Sequence, residues 1–492
     1  MNSSIVPGVN STAVGSGSSR SHTNAYWYAF IYIAATLVLC GPSILALGLE
    51  PFDIGSREFD PFLGMFGSPT AGRVLHSVLF VLLGWLYIRI TRLPSRPPLW
   101  LAPLSVGIWF LSVPWISPDV FFYLAKGWME AHYGLDPYTV RISSIEGFAT
   151  DAIFQSVVPA LNTVLGNYGP RFQDLSRVIA ILSAGSPVTG LMLFKLVGLV
   201  ALFGISHGVR RLASMNGTTS TMLADRFWLN PLILASFVGA AHNDVFITAA
   251  MIYSVILIIR RLHLAGGLAL GFAISLKLSA IFISPAVLLV PIYRRQGIRI
   301  TMRDTGAILL GLIMGVALGF AYRPEAIGYF GSWMNNDTQY FRSSIFQFLV
   351  PAANETFGVG AVNVPLIGKG LFVVLGLATL WRNLLNSKSE AAFVTRSAFE
   401  LLVLGQLLAM QMMNEWYLLW AIVFALPLLC NATNAWIEQL SLIYMPAVVW
   451  AIVGIPALVI ATQALITTAF VLSAGLYFIN RPESESLIIS TS

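Results

Sequence analysis

The stretch Ser117-Pro118-Asp119-Val120-Phe121-Phe122-Tyr123, running on to Tyr133-Gly134-Leu135-Asp136-Pro137-Tyr138, puts a carboxylate and several aromatic rings beside a Gly/Pro turn, directly after an apolar run. Nearly everything around it is apolar. Of 492 residues 57% are hydrophobic and only 10% charged, against about a quarter charged in soluble domains. Mean hydropathy is +0.77. Apolar runs of bilayer-spanning length, about 17–25 residues, recur along the whole chain. The sequence therefore reads as an all-α polytopic membrane protein, with the quoted stretch as a polar cluster at a membrane edge.

Candidate spans fall at 27–48, 72–90, 99–116, 187–209, 225–241, 244–260, 264–278, 279–293, 304–322, 366–382, 396–413, 416–431, 440–457 and 459–479. The run 264–293 reads either as a helical hairpin or as one span broken near Lys277. The net charge of +6 does not call for nucleic acid, because the basic residues collect in short loops: Arg89, Arg92 and Arg96, then Arg210 and Arg211, then Arg260 and Arg261, then Arg294 and Arg295. By the positive-inside rule these loops are cytoplasmic. Three longer segments, 49–71, 117–186 and 323–365, then face outward and carry most of the carboxylates.

Residues 1–25 are Ser/Gly/Asn-rich and are expected to be disordered in the cytoplasm. Residues 26–480 form one integral-membrane domain, and 481–492 a short cytoplasmic tail. Cys40 and Cys430 both sit in apolar runs and read as core residues rather than a disulfide framework.

Within the opening stretch, Ser117 and Pro118 look like an N-cap followed by proline at the first helical position. Val120, Phe121, Leu124, Trp128 and Met129 repeat at helical spacing, so an amphipathic helix is expected to lie on the outer leaflet. Asp119 either complements the helix dipole or serves as a general base at the membrane edge.

His242-Asn243-Asp244 stands between two apolar runs. Three polar side chains there are costly unless they meet partners or water. They either cap the next helix or line a site. Adjacent turn residues rarely reach one ion, so no metal or other cofactor is expected.

Lys277 lies in Ile274-Ser275-Leu276-Lys277-Leu278-Ser279, far from any basic loop. It either snorkels or meets a phosphate as a point charge. Arg342, in the third outer segment, is a candidate bidentate phosphate ligand or the partner of a loop carboxylate. Glu415-Trp416-Tyr417 opens a late helix at the outer interface. Its rings belong to the aromatic belt or stack on a sugar. The chain has no Gly-x-x-x-x-Gly-Lys-Ser/Thr loop, no His-Glu-x-x-His and no dinucleotide fingerprint, which leaves ATP-driven transport and zinc proteolysis without support.

In order and spacing these elements resemble the integral-membrane GT-C glycosyltransferases, and most closely the polyprenol-phosphate-mannose-dependent α-1,6-mannosyltransferases of the type found in mycobacteria and corynebacteria. The matching pieces are Ser117 to Tyr123 with Gly127, Gly134-Leu135-Asp136-Pro137-Tyr138, Tyr168-Gly169-Pro170, Asn230-Pro231, His242-Asn243-Asp244, Lys277 near Pro285, and Trp416-Tyr417-Leu418-Leu419-Trp420.

The resemblance implies a GT-C-like bundle of about 12–14 membrane helices with an outward-facing site. It implies a polyprenyl-phosphate-linked sugar donor and a glycan or glycolipid acceptor. Carried over, Asp119 is the base, and Lys277 and Arg342 neutralise the donor phosphate. Tyr123, Asp136, Tyr138, His242, Asn243, Asp244, Glu415, Trp416 and Tyr417 line the pocket. Two departures from the family pattern stand out. The key acid falls in the second outer segment, although the first offers Asp53, Glu58 and Asp60, and a Glu occupies position 415. A flippase of lipid-linked sugars is the competing reading.

The orientation has a direct check. A reporter active only outside the cytoplasm, fused after residue 150, is expected to read positive; a cytoplasmic reading contradicts the assigned sidedness.

Overall fold

A computed structural model of the protein describes residues 16–46, 69–114, 117–218, 222–326, 346–358, 363–410, 415–428, 433–441, 467–468 and 470–479. They are helical with no strand among them, as burial in lipid requires of a chain that closes no barrel. The long helices are α1 (Ser16–Ala46), α2 (Pro69–Thr91), α3 (Leu101–Leu111), α4 (Asp119–Tyr133), α5 (Pro170–Ser183), α6 (Pro187–Met215), α7 (Asp244–Ile259), α8 (His263–Leu276), α9 (Ile298–Phe320), α10 (Phe346–Phe357), α11 (Asn363–Asn386), α12 (Glu390–Leu408) and α13 (Leu418–Ala425).

Among the described residues six helices are long and apolar enough to cross a membrane, or seven if one sharply bent pair counts as a single span. Shorter apolar helices lie at Leu101–Leu111, His263–Leu276, Leu278–Tyr293, Leu418–Leu428 and Phe470–Ile479. Several expected spans are thus shorter or broken.

The first helix starts at Ser16, ahead of the apolar run that begins at Tyr26. Once an apolar span nucleates a helix, adding a turn costs little, and serines do not stop it. The expected span 225–241 is interrupted after Trp228. Pro231 cannot donate to the ladder, and the Asn230 side chain accepts from Leu232 N at 2.9 Å. Tyr32 fills the gap by donating to the carbonyl of Leu229 at 2.8 Å. Helix then resumes over Pro231–Gly239 and bends by 115° into α7. The run 264–293 does break at Lys277, whose backbone is extended (φ −160°, ψ 130°).

The closest helix pair is α8 against α9, and it is built on small residues. A Cβ on Gly267 would lie 2.1 Å from the Ile308 carbonyl oxygen, and one on Gly315 2.5 Å from that of Leu268. Gly271, Gly311 and Gly319 are equally crowded. Small residues four apart let membrane helices approach to backbone contact. This pair fixes where Lys277, at the end of α8, and Arg323, just past α9, come to rest.

One pole of these helices is basic. Buried Arg294 donates to Glu390 at 2.7 Å and to the Ile258 carbonyl at 2.9 Å, and meets His263 Nε2 at 2.7 Å. The other pole, reached by α7 running from Asp244 to Ile259 over roughly 24 Å, gathers Asp119, His242 and Lys277.

Two further buried cations hold the frame there. Lys195, inside α6, caps the C-terminal carbonyls of α3, donating to Trp109 O at 3.1 Å and Phe110 O at 2.9 Å. Arg323 joins Asp174 of α5 at 2.9 Å to Glu130 of α4 at 2.6 Å.

Candidate active site

The amphipathic helix forms as α4, closed at its C-terminus by Gly134 in the left-handed conformation (φ 64°). It is more enclosed than the apolar stripe suggested. Every residue from Val120 to Gly127 is buried, because α5 packs on its second face. A Cβ on Gly127 would sit 2.2 Å from the Ser176 carbonyl oxygen. Lys126 is buried too, with Nζ donating to the carbonyls of Pro137 (3.3 Å) and Val140 (3.2 Å). Burial lowers its pKa to about 8. Ser117 does not cap: Pro118 precedes the helix, no side chain bonds its first turn, and Asp119 is its first residue.

The carboxylate of Asp119 is drawn away from its own helix. Its Oδ2 lies 3.2 Å from His242 Nε2 and accepts a longer bond from the Tyr168 hydroxyl at 3.4 Å. Tyr123, one turn along α4, places its hydroxyl 3.1 Å from the same imidazole nitrogen and 3.3 Å from Asn243 Oδ1. Both tyrosines are held well above the usual phenol range, first by burial and further by the nearby Asp119 charge. They remain hydroxyl donors at any physiological pH.

His242 arrives by an unusual route. The six residues Leu234–Gly239 form a π-helix, a local widening often found at functional sites. Ala241 then takes a positive φ of 52°, a strained setting for a residue with a Cβ. That turn swings His242, Asn243 and Asp244 into the bundle, where all three are buried. His242 Nδ1 lies 2.7 Å from Asp244 Oδ2. The other face of the ring stacks on Trp416, with centroids 4.0 Å apart and planes 19° apart.

Asp244 is also the partner of Lys277, whose ammonium reaches Oδ1 at 3.0 Å and Oδ2 at 3.1 Å. The same ammonium sits 4.3 Å from the Tyr417 ring centroid and 5.3 Å from that of Trp420, where an aromatic face attracts a cation. The extended backbone of Lys277 is what turns its side chain inward.

The cluster therefore runs Asp119, His242, Asp244, Lys277, walled by Tyr123, Tyr168, Trp416 and Tyr417. Asp119, Tyr123, His242, Asp244, Lys277, Trp416 and Tyr417, expected at the site from sequence, lie together there. Lys277 is not waiting as a bare phosphate ligand, since its charge is matched by Asp244. Asp136 does not join the cluster. It folds a turn, accepting from Tyr138 N at 2.9 Å and Thr139 Oγ1 at 2.8 Å. Tyr138 stands one step behind, its hydroxyl donating to the Tyr168 carbonyl at 3.0 Å.

Arg342 lies outside the described residues, as do Asp53, Glu58 and Asp60. Glu415 opens a short 3-10 turn, Glu415–Tyr417. Among the described residues no three His, Cys, Asp or Glu side chains converge as metal ligands.

Tyr168, Trp420 and Arg323 were not picked out as site residues. Tyr168 carries one local signal, the Gly169-Pro170 pair after it. Gly169 N–H donates to the Leu276 carbonyl at 3.0 Å, and a Cβ there would lie 2.0 Å from the Ser275 carbonyl oxygen. Only glycine lets this segment lie against the end of α8, and that contact sets Tyr168 beside Asp119.

A multi-pass helical membrane protein with a buried acid, imidazole and ammonium cluster walled by aromatics is the class that fold and site define. Its resemblance to the GT-C mannosyltransferases holds when the chain is compared with known proteins. Residues 70–293 match the alpha-(1->6)-mannopyranosyltransferase family model, N-terminal domain, and residues 232–413 match that of the ALG3 protein family.

The chain is 27% identical over 416 residues to alpha-(1->6)-mannopyranosyltransferase A of Mycobacterium tuberculosis, covering 76% of each. A second alpha-(1->6)-mannopyranosyltransferase of that organism is 30% identical over 171 residues, 34% of this chain and 27% of the relative. Alpha-(1->6)-mannopyranosyltransferase A of Corynebacterium glutamicum is 23% identical over 197 residues, 39% and 38% of the two chains. Asp119, Tyr123, His242, Asp244 and Lys277 all fall inside the first matched segment.

The pairing of Asp244 with Lys277 can be tested without substrate. Asp244→Leu takes the carboxylate away from a part-buried ammonium and is expected to cost about 1–3 kcal/mol, read as a fall in Tm of the detergent-solubilised protein. Asp244→Leu combined with Lys277→Met is expected to recover part of that loss; a double variant no more stable than the single one contradicts the pairing.

Proposed function

We propose that the protein is a mannosyltransferase that moves mannose from a polyprenyl-phosphate donor to a glycan or glycolipid acceptor on the non-cytoplasmic face of the membrane. The observation that carries this reading is the meeting of Asp119 with the Asp244–Lys277 pair through His242, in an aromatic-walled site. The names of the relatives support mannose as the sugar. The opposition of this site to the Arg294 pole supports an outward face, because basic loops stay in the cytoplasm.

The chemistry follows from the groups. The acceptor hydroxyl gives its proton to Asp119 as its oxygen bonds to the anomeric carbon, which needs a base within hydrogen-bond reach. The bond from that carbon to the donor phosphate oxygen breaks on the opposite side, inverting the centre. The phosphate leaves as an anion still attached to its lipid. Negative charge then develops where a cation must already stand, and Lys277 supplies it, joined in this proposal by Arg342. Trp416 and Tyr417 give the sugar its stacking wall. A lipid-borne donor explains why the site is built at the end of a membrane bundle, and no metal or other cofactor is required by this scheme.

Purified protein in detergent, given radiolabelled polyprenyl-phosphate-mannose and a short α-mannoside, is expected to form a longer mannoside. Asp119→Asn is expected to lower kcat by about 10²–10⁴-fold while donor binding persists. Full transfer by Asp119→Asn removes Asp119 as the base. Undiminished donor movement across vesicles by the same variant, with no transfer by wild type, favours a flippase.

A further inference from the structure

His242 occupies a position that a pocket-lining residue does not need. It is 1% exposed and has a carboxylate near each ring nitrogen: Asp119 Oδ2 is in hydrogen-bonding position 3.2 Å from Nε2, and Asp244 Oδ2 makes an ion-pair contact 2.7 Å from Nδ1 without hydrogen-bond geometry. An imidazole meets two carboxylates favourably only when both nitrogens carry hydrogens, that is, as the imidazolium. Charge balance agrees. Asp119 and Asp244 contribute two negative charges and Lys277 one positive. Among the described residues, a second positive charge on His242 balances those two carboxylates, which favours the imidazolium where burial penalises unpaired charge.

The ring is held in place independently of its protons by the stack on Trp416 at 4.0 Å and by its backbone N–H, which donates to the Ser236 carbonyl at 3.1 Å. The strained turn at Ala241 aims it. Both contacts recorded for Asp119 among the described residues fall on Oδ2, so Oδ1 is the oxygen left for an acceptor hydroxyl.

We propose that His242 is the positioning residue of the site: as an imidazolium it clamps Asp119 through Oδ2, presents Oδ1 to the acceptor, and ties the base to the Asp244–Lys277 pair that faces the donor phosphate. This rests on the transferase reading given above and assigns His242 a role beyond lining the pocket. The ring need not gain or lose a proton during transfer. The groups facing it are Asp119, Asp244, Asn243, Tyr123 and Trp416, with Tyr168 and Lys277 one contact further on.

The side-chain amides of Gln and Asn mimic the two nitrogens separately. A Gln nitrogen reaches the position of Nε2 and keeps a donor for Asp119. An Asn nitrogen reaches only that of Nδ1 and loses it. With radiolabelled polyprenyl-phosphate-mannose and a short α-mannoside, His242→Asn is expected to lower kcat by about 100-fold or more and His242→Gln by roughly tenfold, with donor KM within a few-fold of wild type; general-base placement has effects of this order. Added imidazole is expected to restore part of the activity of His242→Ala, which a merely structural histidine does not permit. Equal losses in the Gln and Asn variants with no imidazole rescue, or a kcat within threefold of wild type in His242→Asn, overturn the proposal.

A second readout uses no substrate. The Tm shifts of His242→Asn, Asp119→Asn and the double variant are expected to be non-additive, as for residues in contact, whereas additive shifts overturn the clamp. Coupled Tm shifts in a protein that transfers no mannose would keep the clamp and reject the mannosyl reading instead.

Discussion

Asp244 is completely buried, and its carboxylate is shared between an ammonium and an imidazole. A lone carboxylate in that position would be strongly destabilising, and its contacts with Lys277 and His242 offset that cost. That constraint reaches into the backbone: α8 must end in an extended residue at Lys277, the chain before α7 must bend, and Ala241 must accept a left-handed conformation. Each is a departure from regular helix, and each delivers one member of the cluster. Irregular backbone at membrane depth is tolerated where protein covers it.

The surrounding frame carries the cost of these breaks. The glycine ridge between α8 and α9 brings two backbones into contact and so fixes the end from which Lys277 projects. Arg323, just beyond α9, fastens that corner to α4 and α5, the pair whose first member carries Asp119 and Tyr123. Lys195 closes the carbonyl end of α3, the helix that precedes the segment leading to Asp119. Buried cations thus serve twice, once in the site and once in holding the elements around it. The basic network at Arg294 performs the same joining role at the opposite pole, where the ends of α7, α8 and α12 meet.

Much of this was legible in the sequence, for a physical reason. In a chain with so few charges, an Asp, His or Lys within apolar surroundings stands out, and Asp119, His242, Asp244, Lys277 and Trp416 do converge. Their pairings were not legible, because a contact between residues 33 apart, as in Lys277 with Asp244, is decided by how two helices cross. Lys126 and Lys195 look like ordinary polar positions until the carbonyls they satisfy are placed in space.

Hydropathy sees the apolar run 225–241 but not the local bonding of Asn230 that interrupts it, and Asp136 looked like a pocket acid because its turn-forming contacts lie only two and three residues away. Tyr168 was visible only as part of a motif, with its purpose hidden in the backbone approach that Gly169 allows.

In the proposed function, lipid-linked mannose is consumed at the cluster formed by Asp119, His242, Asp244 and Lys277. The most direct measurement is an experimental structure of the protein in nanodiscs with polyprenyl-phosphate-mannose bound to Asp119→Asn. The donor phosphate is expected against Lys277 and the sugar ring against Trp416, with its anomeric carbon open toward position 119. Donor density elsewhere on the bundle, with this cluster untouched, would contradict it.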